Sequence, residues 1–480
     1  MAYQNFIGGE WRDSASGETI ASRNPAAPDE VVGEVPQSTA ADATAAVDAA
    51  AAASEEWAAT PGPERGAIIR EAGNLLDTRR EDITETLVRE EGKTWSEATG
   101  ELQRAVDIFH YYASKAADIG GEVRASSARE RYLYVDREPV GVVSAITPWN
   151  YPIAIPAWKL APALATGNTA TLKPATAGAV TAIELVRVLD DAGLPDGVCN
   201  LVTGPGDTVG DVLTTDDRVD AVSFTGSEAV GDIVYQAAAP DQKRVQLEMG
   251  GKNPTVVMPS ADIDEATDIV GSGAFGTTGQ SCTACSRAVV HEDIHDEFVD
   301  AIVAYAESLS IGPGIDDPDM GPHVSEAELA GTLDYVEIAQ NEGATLETGG
   351  NRLDDELADG YFVEPTVFAD VEPDMRIAQE EVFGPILSVI SVGSFEEALD
   401  VANGVTQGLS ASVVTDDLRE AHRFVREVDA GVVKTNEKTT GLELHVPFGG
   451  MKASSSETYR EQGDAGLDFY TISKTVYLNY

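Results

Sequence analysis

Five strand-like runs, VGVVSAI, NTATLKP, VCNLVTG, AVSFTG and RVQLEMGG, occupy residues 140–251, separated by helical patterns at 157–165, 179–192, 207–214 and 228–238. Strand–helix–strand alternation closes into a parallel sheet with helices packed on its faces, so few other folds remain open. A second α/β series runs from PTVVMP at 254 to about 446. At 480 residues the chain exceeds one ordinary core, which fits two or three domains. Ahead of the first series, the Ala-rich 38–57 segment predicts a helix capped by Ser38 or Thr39, and helical patterns follow at 64–79 and 81–117. Residues 131–146 alternate apolar and polar on both sides of Pro139-Val140-Gly141, as a β-hairpin would. The last stretch, FYTISKTVYLNY at 469–480, reads as a strand able to pair with that early hairpin within a chain or between chains.

The charge balance restricts partners. Against 32 basic residues stand 82 acidic ones, a formal net of −50, and Lys is scarcer than Arg, ten against 22. Acidic residues spread through a chain with ordinary apolar content fit salt adaptation, since at molar salt the Debye length falls to about 3 Å. Nucleic acid and anionic membranes are poor partners for such a surface. The start, MAYQNFIGGEW, has no basic region followed by an apolar one, and no run of about 18 apolar residues occurs. Three cysteines make no disulfide framework, so a reduced, cytoplasmic protein is expected.

Two of those cysteines, Cys282 and Cys285, lie in GQSCTACSR. Zinc needs about four ligands, and the six His residues offer no paired spacing, so no metal site is expected. A Cys-x-x-Cys redox pair normally opens a helix after an early strand, whereas this one sits mid-chain in the glycine-rich GSGAFGTTGQSC. Two small buried thiols are a further reading. Gly204-x-Gly206-x-x-x-Gly210 is one residue longer than the dinucleotide fingerprint, but SFTGSEAVG places Gly226-Ser227 between a strand and a helix start, where backbone amides can meet a pyrophosphate.

In order along the chain stand TPWNYP (147–152), TLKPA (171–175), FTGSEAVG (224–231), LEMGGKNP (247–254), GQSCTACSR (279–287), EEVFGP (380–385) and PFGGMK (447–452). With these segments the chain resembles the aldehyde dehydrogenase superfamily over essentially its whole length. The resemblance implies an α/β fold with a Rossmann-type cofactor domain (1–121 and 141–250), an α/β catalytic domain (251–449), and a small β oligomerisation arm (122–140 and 467–480). Residues 450–466 connect them, and a homodimer or homotetramer is expected.

By the same resemblance Cys282 is the nucleophile, attacking an aldehyde to give a thiohemiacetal and then a thioester; a thiol is suited to both attack and departure. Asn150 is the oxyanion donor, working with the Cys282 backbone N–H. Glu248 is the general base that activates the hydrolytic water, favouring a free acid over transfer to coenzyme A. Trp149, Lys173, Gly226, Ser227, Gly231, Met249, Glu381 and Phe383 are implied to bind the coenzyme. Many NAD-preferring members carry Glu three residues after the lysine; here Thr176 stands there, which leans the cofactor toward NADP over NAD because a carboxylate would repel a 2′-phosphate.

The C-terminal TTGLELHVPFGGMKASSSETYREQG is similar to that of the α-ketoglutarate semialdehyde (2,5-dioxopentanoate) dehydrogenase subgroup. Succinate semialdehyde, glyceraldehyde, lactaldehyde and betaine aldehyde are the competing small substrates. Tyr151, Trp158, Ser281, Leu442 and Phe448 are expected to line the aldehyde pocket. A dicarboxylic semialdehyde also needs an anchor for its far carboxylate, for which Lys438 and Ser281 are candidates. Arg287 is expected to serve the loop's structure, and Cys285 to be an incidental neighbour able to form a protective disulfide under oxidation.

Overall fold

The computed structural model describes residues 1–480, Asp355 by its backbone alone. The first sheet has seven strands in the order Arg244–Glu248, Ala221–Thr225, Val142–Ile146, Thr169–Lys173, Cys199–Leu201, Asn5–Ile7 and Glu10–Arg12. The five from Arg244–Glu248 to Cys199–Leu201 run parallel, as the alternation predicts. The two N-terminal strands extend the sheet antiparallel; three residues each, they are too short to leave a period in the sequence.

Both faces of this sheet are covered, so Val142–Ile146 and Thr169–Lys173 are buried at every position. Helices Ala40–Ala59 and Glu228–Ala238 pack on one face, against Val222, Val202 and Val245. Helices Gly62–Thr78, Trp95–Lys115, Ala154–Ala165 and Ala179–Asp191 pack on the other. The Ala-rich segment is thus a core helix, its start closed by a capping box between Thr39 and Asp42. Two buried strand hydroxyls reach backbone carbonyls: Ser144 Oγ donates to Leu213 at 2.7 Å and Thr169 Oγ1 to Ala50 at 3.0 Å.

Two expectations are corrected. The pattern at 81–117 is not one helix but two, Arg80–Glu91 and Trp95–Lys115. The break falls at Gly92, whose φ of 92° is left-handed and whose missing Cβ would sit 2.8 Å from Pro322 and 2.9 Å from Pro25. Likewise 131–139 and 142–146 do not form a hairpin. Gly141 (φ 129°) turns the chain from one sheet into another, its N–H donating to Asn168 Oδ1 at 2.8 Å. Arg131–Pro139 instead pairs antiparallel with Glu122–Arg124 and, within the same chain, with Thr471–Asn479.

The second seven-stranded sheet runs Thr345–Thr348, Thr366–Ala369, Ile386–Val392, Cys285–His291, Asn253–Val257, Ser410–Val414 and Val432–Thr435. Alternate residues of its central strands face two cores, with Val257 and Val290 on one side and Val256 and Val289 on the other.

Candidate active site

In the parallel part of the first sheet the chain starts at Val142–Ile146, adds two strands on one side, then returns to add Ala221–Thr225 and Arg244–Glu248 on the other. The strand order therefore reverses between Val142–Ile146 and Ala221–Thr225, and ligands bind beyond the carboxyl ends of strands at such a switch point. TPWN follows the first of these strands, Gly226-Ser227 the second, and Glu248 ends the neighbouring one. Two cavities meet there. A cleft of about 800 Å³ and a narrower tunnel of about 230 Å³ share Ile155, Thr225, Met249 and Cys282.

Cys282 is presented by a strained turn. After helix Ile263–Phe275, Thr277 and Thr278 are left-handed at φ 54° and 56°, and Gly279 follows at 67°. A side chain at Gly279 would collide with the Gly384 carbonyl at 2.2 Å, which explains the glycine before Gln280. Buried Gln280 accepts from the Val324 N–H at 2.9 Å, and its Oε1 lies 3.2 Å from His323 Nδ1. Asn253 Nδ2 donates to the carbonyls of Cys282 (2.8 Å) and Ala284 (2.9 Å), tying the loop to LEMGGKNP. Strain held by surrounding bonds in this way is a mark of functional loops. Burial, then the charges of Glu381, Glu248 and Glu461, push the Cys282 thiol up to about 12.

Asn150 is buried, with Nδ2 donating to the Gln280 carbonyl at 3.0 Å, so its amide faces the loop that carries Cys282. Its own carbonyl accepts from Lys93 Nζ, whose ammonium also bonds Glu101 at 2.7 Å and lies 4.1 Å from the Tyr151 ring centroid. Burial works against the Lys93 charge, but Glu101 and Glu91 outweigh it and hold the ammonium protonated.

Glu248 is 2% exposed. It accepts only from the Gly450 N–H, at 3.3 Å, and its Oε1 has no partner among the described residues. A Cβ on Gly449 would lie 2.6 Å from that oxygen, so the PFGG glycines form the seat of this carboxyl. Burial first, then the charge of Glu461, raises its pKa well above the usual carboxylate range, against Lys159 and Arg460. Glu461 and Lys159 form a buried ion pair, and Lys159 Nζ donates to Ser223 Oγ at 2.8 Å. Neither was assigned from sequence. The available signal was a lysine, one of ten, within the apolar AIPAWKLAPALA helix, and a glutamate in the quoted REQG.

Of the residues assigned to the coenzyme from sequence, Trp149, Lys173, Gly226, Ser227, Met249, Glu381 and Phe383 are brought together in the lining of the cleft. Glu381 sits where Gly250 leaves room, since a Cβ there would lie 1.9 Å from its Oε2. It accepts from the Gly251 N–H at 3.1 Å, and burial raises it to about 7. Phe383 and Trp149 stack edge-on, centroids 5.3 Å apart. Lys173 is lowered to about 8 by burial alone, with no carboxylate beside it; its ammonium bonds only the Pro174 carbonyl, at 3.2 Å. Two expected residues fall outside the lining. Gly231 is a packing glycine, its missing Cβ giving room to Met249 Sδ at 2.4 Å, and Thr176 lies half-buried in the turn beyond Ala175. The cleft also takes in Asp207, Asp211 and Glu328, which sequence reasoning did not assign.

Tyr151, Trp158, Ser281, Leu442 and Phe448 all line the narrow tunnel, together with Glu101, Arg104, Thr225, Thr283 and Gly441. Lys438 does not; it is exposed, with its Cβ near helix residue Gly273. Cys285 donates its thiol to Thr255 Oγ1 at 3.2 Å within the core of the second sheet, which speaks against a disulfide partner role for it. Arg287 is fully buried and donates to the carbonyls of Lys252, Val401 and Ala402 at 3.0, 2.9 and 3.0 Å. It fastens the strand that leaves the Cys282 loop.

A cysteine on a strained turn, an amide bonded to the loop that carries it and a buried carboxyl, where a tunnel meets a larger cleft, match the features implied by the motif order. The chain is 63% identical over 478 residues to an α-ketoglutarate semialdehyde dehydrogenase of Haloferax volcanii, covering 99% of both. It is 45% identical to an α-ketoglutaric semialdehyde dehydrogenase of Bacillus subtilis, covering 99% of this chain and 98% of that one. A crystal structure of betaine aldehyde dehydrogenase from Staphylococcus aureus with NAD+ superposes with a TM-score of 0.97 at 36% identity, covering 99% of this chain and 94% of that one. The model of the aldehyde dehydrogenase family matches residues 11–476, and to that family this chain belongs.

Proposed function

We propose that the protein oxidises α-ketoglutarate semialdehyde to α-ketoglutarate with a nicotinamide coenzyme, preferentially NADP. The observation that carries the reaction class is the position of Cys282 at the junction of tunnel and cleft, with Glu248 in the tunnel wall and Asn150 in the cleft wall. Substrate choice rests on the 63% identical relative and on the similar C-terminal motif.

The coenzyme, when bound in the cleft, supplies a hydride acceptor and a cationic ring that offsets the carboxylates around Cys282. The thiolate of Cys282 adds to the aldehyde carbon, and the resulting oxyanion takes hydrogen bonds from Asn150 Nδ2 and the Cys282 N–H, each such donor worth about 3 kcal/mol. Loss of hydride leaves a thioester on Cys282. Glu248 then takes a proton from water, which attacks the thioester carbon, breaks the C–S bond and releases the acid. Behind Glu248, burial and the charge of Glu461 raise its basicity, and Lys159, ion-paired to Glu461, works against that rise.

NADP is favoured by Lys173, a nearly buried ammonium with no carboxylate partner, which gains an ion pair from a ribose phosphate. The three-stranded sheet exposes Val123, Tyr132, Ile472, Tyr477 and Leu478, supporting its use as a contact between copies in a homodimer or homotetramer. All three cysteines are free thiols, in keeping with the cytoplasm, and no described helix is long and apolar enough to cross a membrane. The test is coenzyme reduction with a panel of aldehydes in molar KCl: α-ketoglutarate semialdehyde should be preferred, and Cys282→Ala should abolish turnover. Retained activity in that variant would overturn the reading.

A further inference from the structure

The tunnel must discriminate among aldehydes that share the same reacting carbon, and only its wall can do so. Besides Cys282, three ionisable side chains other than tyrosine line it: Glu101, Arg104 and Glu248. Glu101 is fully committed. Its Oε2 receives Lys93 Nζ at 2.7 Å and its Oε1 the N–H groups of Ile153 and Ala154 at 3.0 and 3.1 Å. Glu248 belongs to the reaction. Arg104 remains.

Arg104 lies in helix Trp95–Lys115, four residues after Gly100 and three after Glu101, so all three share the helix face that walls the tunnel. Its one hydrogen bond to protein is from Nη2 to Gln462 Oε1, at 2.8 Å. That partner is a neutral amide, so it orients the guanidinium without cancelling its charge. Among the described residues no carboxylate lies within 4.0 Å of it, in a chain where acids outnumber bases 82 to 32; Asp107 and Glu443 act on it only from farther off. Gln462 is fully buried and held at φ 62°, a left-handed conformation that a non-glycine residue adopts only when its surroundings require it. The surrounding bonds are present: the Gly463 N–H donates to the Leu444 carbonyl at 3.0 Å, and Tyr112 Oη to the Gly463 carbonyl at 3.1 Å.

We propose that Arg104, oriented by Gln462, binds the distal carboxylate of a dicarboxylic ω-semialdehyde in the tunnel, so that the aldehyde end meets Cys282. This deepens the function proposed above and rests on it. A planar guanidinium matches a carboxylate with two parallel N–H···O bonds, and one amide partner leaves donors free for that fork. Being a contact rather than a long-range field, the pairing survives molar salt. The same charge disfavours quaternary-ammonium aldehydes, which would have to sit beside it.

The test compares kcat/KM for α-ketoglutarate semialdehyde, succinate semialdehyde and uncharged pentanal in wild type, Arg104→Ala and Gln462→Glu. The second variant keeps the arginine but places a carboxylate on it, so it reports on the charge even if Arg104→Ala folds poorly. The expected result is a loss on the order of 100-fold for the semialdehydes in both variants, with pentanal within roughly threefold of wild type. Wild-type preference for the semialdehydes that persists in both variants would overturn the anchor and leave the substrate reading standing. Equal losses on pentanal and the semialdehydes would also overturn it, assigning Arg104 to structure. Wild type with no preference for carboxylate-bearing aldehydes would sink the substrate reading and the anchor with it. Arg104-dependent preference for succinate semialdehyde alone would uphold the anchor and refute only the five-carbon substrate.

Discussion

Replacing Glu248 by Gln separates the two halves of the reaction. The carboxyl is 2% exposed, receives one long bond from the Gly450 N–H at 3.3 Å, and has an oxygen with no partner. An amide of the same shape keeps the Gly450 bond, so the fold has little to lose; the proton acceptor for water is what disappears. A positioned general base contributes roughly 10²–10⁴ in rate, or about 2.7–5.5 kcal/mol at about 1.36 kcal/mol per decade. The first half should not slow, because Glu248 is one of the charges that push the Cys282 thiol up, and removing it favours the thiolate. Rapid-mixing measurement of coenzyme reduction should therefore show a burst of one equivalent per Cys282, followed by a steady state slower by that factor. The pH profile adds a check. Because burial and Glu461 hold Glu248 above the usual carboxylate range, wild-type turnover should rise with pH as it ionises, and that limb should vanish in Glu248→Gln. An unchanged steady state would refute the base assignment, and a missing burst would show that Glu248 is needed before the thioester forms.

His323 is held neutral by burial, its pKa lowered to about 3, between Gln280 Oε1 and Thr332 Oγ1. Below its ordinary value of about 6.5 the unfolded chain takes up a proton that the folded one refuses, so stability should fall by up to about 1.4 kcal/mol per pH unit toward pH 3. Denaturant unfolding at pH 7 and 5 should show a shallower pH dependence in His323→Gln, and an identical slope would contradict this. Arg287→Met orphans three buried carbonyls and should cost on the order of 3 kcal/mol in denaturant stability, whereas an unchanged midpoint would count against the structural role. Thr176→Glu adds a carboxylate three residues after Lys173 and should lower the NADP-to-NAD ratio of kcat/KM tenfold or more; an unmoved ratio would remove the Thr176 argument for NADP.

The parallel sheet and the motif loops were legible because both leave local signals: strand–helix alternation, and glycines at fixed places. The structure gives those glycines causes. Gly250 makes room for Glu381, Gly279 for the Gly384 carbonyl, and Gly449 for Glu248, contacts between segments far apart in sequence. What stayed hidden was set by such long-range packing. Arg104 looks like any polar residue of an amphipathic helix until that helix is placed against the tunnel; of the two anchor candidates read from sequence, Lys438 is exposed outside the tunnel and Ser281 lines it without a charge. Glu461 and Lys159, 302 positions apart, meet only in the fold. The split at Gly92 is hidden because the helical pattern continues on both sides, and at Gly141 the turn was legible but not that it leaves one sheet for another; Pro322 and Pro25, and Asp220, the side chains that require glycine at these two positions, come from distant segments. Cys285 is the converse, a conspicuous spacing with a buried, structural thiol.

The chemistry at Cys282 can be caught by mass spectrometry of Glu248→Gln, mixed with α-ketoglutarate semialdehyde and coenzyme, quenched in acid and digested. The expected result is the acyl group on the peptide that carries Cys282, and its absence when coenzyme is left out. Acylation confined to Cys285 or Cys199, or no covalent acyl group under turnover conditions, would contradict a thioester mechanism at this residue.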